Sequence, residues 1–139
     1  MSFLDAFKGY HQIPLAPGDQ EKTAFMTPIG NYHYKVIPFS LKNARSTYQR
    51  MMIRMFEPQL GKNIEVYIND IVVKSKVVSK HVGDLRVIFG ILRKHKLCLN
   101  ASKCSFGVGS NKFLAYMVTY MGIEVSLDQI KAIHNLQAP

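Results

Sequence analysis

Two aspartates carry the clearest chemical potential in this chain: Asp70, which ends the run Tyr67-Ile68-Asn69-Asp70, and Asp5, which follows the apolar pair Phe3-Leu4. An ionised carboxylate is an acceptor-only group. Held rigidly at a hairpin tip by buried strands, it is well placed to bind a hard cation such as Mg²⁺, which takes oxygen ligands. Asp5 falls at or near the C-terminal end of a strand, and Gly9-Tyr10 turns the chain just beyond it. Taken alone, an aspartate in that setting is more often a helix N-cap than a ligand. The cysteines make a poorer site. His95-x2-Cys98-x5-Cys104 lacks a fourth ligand at sensible spacing, so zinc is not expected, and Cys98 and Cys104 read as small apolar residues of a reducing compartment.

The element that must position Asp70 is the stretch Ile64 to Ser75, two β-branched runs on either side of Asn69-Asp70. Val, Ile and Tyr fit a half-buried pleated surface, and a two-residue connection needs positive φ, which Asn and Asp tolerate. The pattern predicts a hairpin with Asn69 and Asp70 as its connection. Upstream, Pro14 to Asp19 is a loop, and strands are expected over Thr23–Thr27 and Tyr32–Ile37, joined by Pro28-Ile29-Gly30-Asn31. Tyr48, Met51, Met52, Met55 and Phe56 recur at helical spacing, with Asn43 as a plausible cap and Pro58 and Gly61 as the stop. A second helix opens at Ser79 or Asp84, with Val82, Leu85, Phe89 and Leu92 on one face and a basic opposite face. From Lys74 to Lys103 the chain carries Lys74, Lys76, Lys80, Arg86, Arg93, Lys94, Lys96 and Lys103 against Asp84 alone, a run that a solvated helix face would also explain. Short strands follow near Cys104–Phe106, Phe113–Thr119 and Ile123–Val125, then a helix over Leu127–Leu136. The order describes an α+β domain with an antiparallel sheet.

At 139 residues and 47% hydrophobic content the chain is the size of one domain and can bury a real core. Its 18 Lys and Arg against 9 Asp and Glu give a net charge of +9. A polyanion is the expected partner. Nucleic acid is favoured over a membrane, because no apolar run approaches the roughly 18 residues of a spanning helix and no signal segment opens the chain.

Six motifs then line up in order: Phe3-Leu4-Asp5-Ala6-Phe7-Lys8-Gly9-Tyr10-His11-Gln12-Ile13, Glu21-Lys22-Thr23-Ala24-Phe25, Pro38-Phe39-Ser40-Leu41-Lys42-Asn43-Ala44, Tyr67-Ile68-Asn69-Asp70, Leu99-Asn100-Ala101-Ser102-Lys103-Cys104-x-Phe106-Gly107 and Lys112-Phe113-Leu114-Ala115-Tyr116. Together they resemble the reverse transcriptase of gypsy-class LTR retrotransposons, over nearly the whole chain. The resemblance implies a polymerase palm, an antiparallel sheet backed by helices, over about residues 1–107 with partial fingers, and a primer-grip region with the start of a thumb over about 108–139. It implies an RNA-directed DNA polymerase using two Mg²⁺ ions clamped by carboxylates of separate strands. Asp5 and Asp70 would be metal-binding catalytic residues, with Asn69 at a position normally Asp. Tyr10, Phe39 and Ser40 would line the nucleotide pocket, Tyr10 selecting against a 2′-hydroxyl, and Leu114, Ala115 and Tyr116 would grip the primer. The basic run between Lys74 and Lys103 would lie near a nucleic-acid backbone. Implied partners are an RNA or DNA template with primer, deoxynucleoside triphosphates and the rest of a Pol polyprotein, with no membrane. The implied location is cytoplasmic, in a retrotransposon particle, or nuclear.

The departures from the family pattern lower the expected activity. Asn69 replaces a principal metal-binding aspartate, and a neutral amide binds Mg²⁺ poorly. Ser40 stands where the family prefers Gly, Arg45 where a small residue or Pro is usual, Ala115 in place of a primer-grip Gly, and Ser126-Leu127 in place of Asp-Pro. The chain is expected to be a piece of a longer, decaying polypeptide that lacks the upstream finger strands and stops at the start of the thumb, and to be catalytically impaired. The alternative from another class is a non-catalytic nucleic-acid-binding domain, since a sheet backed by two helices is similar in layout to small RNA-binding sheets. Against it, no Arg/Lys-Gly-Phe-Gly-Phe-type strand is present.

Overall fold

A computed structural model of the chain describes residues 1–113, 116–119, 121–124 and 131. Its centre is a three-stranded antiparallel sheet in the order β1-β5-β4, with β1 at Ser2–Asp5, β4 at Ile64–Tyr67 and β5 at Asp70–Val73. Alternation along these strands sorts the side chains by face. Leu4, Ile64, Ile71 and Val73 join the buried cluster built with Tyr48, Met52 and Phe56 of helix α2 (Ala44–Phe56) and Ile88 and Leu92 of helix α3 (His81–Lys94). Asp5, Asp70 and Tyr67 therefore point to the other face. The outer edge of β1 is covered by the segment around residues 98–105. Phe3 and Ser105 exchange backbone hydrogen bonds of 2.7 and 2.8 Å, and the Asn100 N–H donates to the Asp5 carbonyl at 2.8 Å. The sheet therefore offers no bare strand there.

The hairpin forms one residue earlier than the sequence pattern predicts. Its connection is Ile68-Asn69, and Asp70 is the first residue of β5, paired with Tyr67. Ile68 takes φ of 53°, a left-handed conformation that disfavours a β-branched residue by roughly 1–2 kcal/mol. The compensation comes from α2. Gln49 accepts a hydrogen bond from the Ile68 N–H at 2.6 Å through Oε1, and its Nε2 donates to the Val66 carbonyl at 3.1 Å. Turn propensity alone would have chosen the polar pair; a helix-borne amide overrides it.

Other elements shift in instructive ways. The predicted 23–27 and 32–37 strands shrink to β2 (Phe25–Thr27) and β3 (Gly30–Tyr32) with Pro28-Ile29 as connection. A short helix α1, Pro17–Gln20, occupies part of the expected loop. Asn43 does precede α2, but its side chain makes no cap bond; its carbonyl instead accepts from the Thr47 N–H at 3.0 Å and the Ser46 hydroxyl at 3.0 Å. In α3 the fully buried residue is Ile88, while Val82 is 66% exposed, so the face turns toward the sheet by part of a turn from the predicted line. Cys104–Phe106 forms only the isolated Phe3–Ser105 bridge. The expected single strand over 113–119 is instead the end of β6 (Ser110–Phe113) and all of β7 (Tyr116–Thr119), which pairs on with β8 (Gly122–Glu124). Apart from Lys131, the helix expected over 127–136 lies outside the described residues, as do Leu114, Ala115, Ser126 and Leu127.

One polar chain ties these parts together at the end of the sheet away from the hairpin tip. The His81 ring sits between Ser2 Oγ, 2.7 Å from Nε2, and Ser75 Oγ, 2.9 Å from Nδ1. Ser75 also donates to Asp84 at 2.5 Å, and the Gly107 N–H donates to Ser2 at 3.1 Å. Because the Ser75 proton is committed to Asp84, Nδ1 must be the protonated nitrogen of a neutral ring, leaving Nε2 to accept from Ser2. A second proton on His81 would leave the hydroxyl hydrogen of fully buried Ser2 without a partner. Burial, with the chain's amino group adding to it and Asp84 opposing, holds His81 below its ordinary pKa.

Two outcomes follow from these contacts. Gln49→Leu is expected to lower the unfolding free energy by about 1–3 kcal/mol, because both tip hydrogen bonds are lost and Ile68 keeps its strain; an unchanged urea midpoint would exclude the clamp. For His81 the unfolded chain binds the extra proton more readily than the folded one. Its stabilising contribution is therefore present above the unfolded pKa of about 6.5 and is lost as pH falls through the lower folded value. Thermal stability should drop between neutral and mildly acid pH, and His81→Gln should flatten that part of the profile.

Candidate active site at the hairpin tip

The antiparallel register sets Asp5 directly opposite Asp70, and Asp70 in turn opposite Tyr67. Residues facing each other across such a pair project to the same side with Cβ atoms about 4.5–5.5 Å apart. The two carboxylates open into a recess of about 210 Å³ whose walls include Phe3, Lys103, Asn111, Lys112 and Phe113. Burial, and then the neighbouring Asp5 charge, hold Asp70 above the usual carboxylate range, with Lys103 opposing. A group in that state gains when a cation arrives to neutralise it.

Asn69 behaves differently. Its carbonyl accepts the Ala6 N–H at 3.0 Å, which ties the hairpin tip to the end of β1. Its side chain does not line the recess; Oδ1 lies under Gly9 beside the Tyr48 hydroxyl. A Cβ placed on Gly9 would come within 2.3 Å of Asn69 Oδ1 and 2.6 Å of Tyr48 Oη, so only glycine fits there. Among the described residues both oxygens are buried without a hydrogen-bond partner, and burial pushes the Tyr48 hydroxyl well above the usual phenol range.

From Tyr48 an aromatic cluster leads outward. Tyr10 meets Tyr48 edge-on at 5.2 Å between ring centroids and Phe39 edge-on at 5.7 Å, and His11 lies 4.8 Å from Phe39. Phe39 is 57% exposed, and the next residue, Ser40, takes φ of 76°, a conformation suited to glycine. The Arg45 guanidinium sits 5.3 Å from the centre of the Tyr67 ring and donates to its hydroxyl. Tyr116 begins β7 opposite Phe113, a wall of the recess. The fold thus gathers Asp5, Asp70, Tyr10, Phe39, Ser40 and Tyr116 around one end of the sheet, while Leu114 and Ala115 lie outside the described residues. Sequence reasoning read Tyr48 only as core and Lys103 only as part of the basic run, and it missed Gln49 and the nearness of Lys103 to Asp70. Gln49 left a weak signal, an amide one position from a buried helical stripe. The basic helix itself lies on the core side of the sheet, away from the carboxylates.

Comparison with known proteins matches this geometry. The family model described as reverse transcriptase (RNA-dependent DNA polymerase) matches residues 1–125. The chain is similar to the retrovirus-related Pol polyprotein from transposon 297 of Drosophila melanogaster, 36% identical over 98% of this chain and 13% of the relative, and to that from transposon opus of the same organism, 38% identical over 98% and 14%. Transposon gypsy is 33% identical over 98% of this chain and 13% of the relative. The chain therefore spans only about one seventh of the curated relatives it matches. Among solved structures, the foamy viral protease-reverse transcriptase in complex with RNA/DNA hybrid superposes with a TM-score of 0.85 over 99% of this chain and 19% of that one, at 22% identity. Its complex with dsDNA gives 0.86 over 99% and 29%, also at 22%. The chain belongs to the reverse transcriptase family, alongside the Pol polyproteins of gypsy-class transposons.

Proposed function

We propose that this chain is a palm-centred segment of a transposon RNA-directed DNA polymerase in which the polymerising step is impaired. The observation that carries the reading is the side chain of Asn69, a neutral amide whose oxygen faces Gly9 and Tyr48 while Asp5 and Asp70 share a recess without it. Enzymes of the family use Mg²⁺. The residues present do not fit a pair of divalent ions. Among the described residues no cluster of three His, Cys, Asp or Glu side chains is assembled, and two carboxylates beside Lys103 leave little negative charge to offset four positive ones.

The remaining parts keep recognisable tasks in this reading. Half-buried Tyr10 and exposed Phe39 form an aromatic shelf at the sheet end, suited to the sugar and base of an incoming nucleotide. Ser40 places a side chain where the left-handed backbone would otherwise lie bare, and Arg45 fills space above Tyr67. Leu114, Ala115 and Tyr116 would touch the primer strand, with the palm and partial fingers covering about residues 1–107 and the grip and thumb start covering 108–139. The bound partner would be a primer-template. Two foamy viral relatives of the fold carry RNA/DNA hybrid or dsDNA, which supports a nucleic-acid partner here.

Primer extension tests the catalytic half, with Mg²⁺ and with Mn²⁺, comparing the chain as given, Asn69→Asp, and Asn69→Asp within a full fingers-palm-thumb protein. Each tenfold in rate corresponds to about 1.4 kcal/mol of transition-state stabilisation, so a loss of several powers of ten is expected for Asn69, with recovery only in the full protein. Clear extension by the unaltered chain would remove the impaired reading. Duplex binding tests the other half: weak, sequence-independent affinity should fall steeply with salt as phosphate contacts release counterions. An affinity that ignores salt would leave the +9 charge without a role in it.

A further inference from the structure

Helix α3 carries Arg86, Arg93 and Lys94 of the basic run, yet its buried side packs on the sheet face opposite the carboxylates. Two adjoining grooves follow its outer flank. One, of about 540 Å³, is lined by Val82, Leu85, Arg86, Phe89, Gly90 and Arg93. The other, of about 440 Å³, shares Phe89 and Arg93 and continues past Leu92 and Lys96 to Leu99. The floor is apolar and open: Val82 is 66% exposed, and Phe106, 51% exposed, extends it with a ring 6.1 Å from that of Phe89.

The rim has one sign of charge. Arg86, Arg93 and Lys96 are exposed, and none of them is in an ion pair among the described residues. The acid on the same helix, Asp84, is engaged by Ser75. At the centre Gly90 leaves the helix surface bare, since a Cβ there would meet nothing within 4 Å. Glycine is disfavoured in a helix interior relative to alanine, and this one leaves room for another backbone to approach.

We propose that this flank of α3 docks an acidic amphipathic helix of a protein partner, its apolar stripe on Val82, Leu85 and Phe89 and its carboxylates on Arg86, Arg93 and Lys96. A phosphate backbone would satisfy the cations but bury nothing against Val82, Phe89 and Phe106, whereas an amphipathic helix does both. The groove also lies away from the recess that would hold a primer-template. The inference goes beyond the polymerase reading and stands whether or not the chain extends primers.

The probe is a fluorescein-labelled synthetic helix of about 16 residues, about 24 Å long, with Leu at i, i+3, i+4 and i+7 spacing and Glu on the other faces. Fluorescence anisotropy should show saturable binding, weakened about tenfold or more by Arg86→Glu with Arg93→Glu, and likewise by Val82→Asp, which replaces an exposed side chain and should leave the fold intact by circular dichroism. A scrambled peptide of the same composition should bind about tenfold more weakly, since it lacks the stripe. The proposal is overturned by no binding to the unaltered chain, by equal binding of the scrambled peptide, or by variants that lose duplex DNA while keeping the peptide. The last result would assign the face to nucleic acid.

Discussion

Residues 2–5 and 70–73 are far apart in sequence, so the antiparallel pairing of β1 with β5 closes a long loop and must be supported by burial rather than by local propensity. Leu4, Ile71 and Val73 supply that burial against Tyr48, Met52 and Phe56, and the backbone bonds of segment 98–105 seal the other edge of β1. The consequence reaches the site directly. With a side-chain period of two, a slip of one residue would send Asp5 into the apolar core and Leu4 to the recess, so the register that satisfies the core is the one that sets Asp5 opposite Asp70.

The hairpin tip illustrates how strain is held in such a site. Ile68 is a poor residue for positive φ, and it persists because Gln49 binds both the Ile68 N–H and the Val66 carbonyl. Asn69 then has little freedom. Its carbonyl is fixed to Ala6, its side chain is pressed under Gly9, and its amide oxygen has no partner in a buried place. A carboxylate buried in the same place would carry a desolvation penalty that a neutral amide avoids, and Asp5 and Asp70 nearby would add repulsion. Neutrality at position 69 therefore favours a tip that folds without a cation, while it weakens the case for a site that recruits one.

Local signals made much of this legible. The Met and aromatic stripe from Tyr48 to Phe56 described α2, and the β-branched runs described β4 and β5. The six ordered motifs led to the family. What stayed hidden required tertiary information. The hairpin was offset by one residue because Asn and Asp are the better turn formers, and only the contact with Gln49 makes Ile68 acceptable there. The rotation of α3 that buries Ile88 and exposes Val82 depends on where the sheet lies, since an apolar stripe of four or five residues fits several neighbouring orientations. Asn43 looked like a side-chain cap by type, but its backbone (φ −103°, ψ 1°) departs from the extended conformation that aims a cap side chain at the first helical N–H groups, and it makes no cap bond.

The positive charge is divided between two faces, and this changes what a net value means. Lys103 and Lys112 stand at the carboxylate recess, whereas Arg86, Arg93 and Lys96 line grooves on the flank of a helix that backs the sheet. Packed layers of secondary structure are separated by about 10 Å, while the Debye length at physiological ionic strength is about 8 Å. A polyanion held at the tip would feel the first group strongly and the second only after substantial screening. A duplex bound at the tip would thus be held by a fraction of the +9 charge. Arg86 and Arg93 on α3 and Lys96 just beyond it, in no ion pair among the described residues and set around exposed Val82 and half-buried Phe89, suit a different counterpart, one that brings apolar surface as well as negative charge.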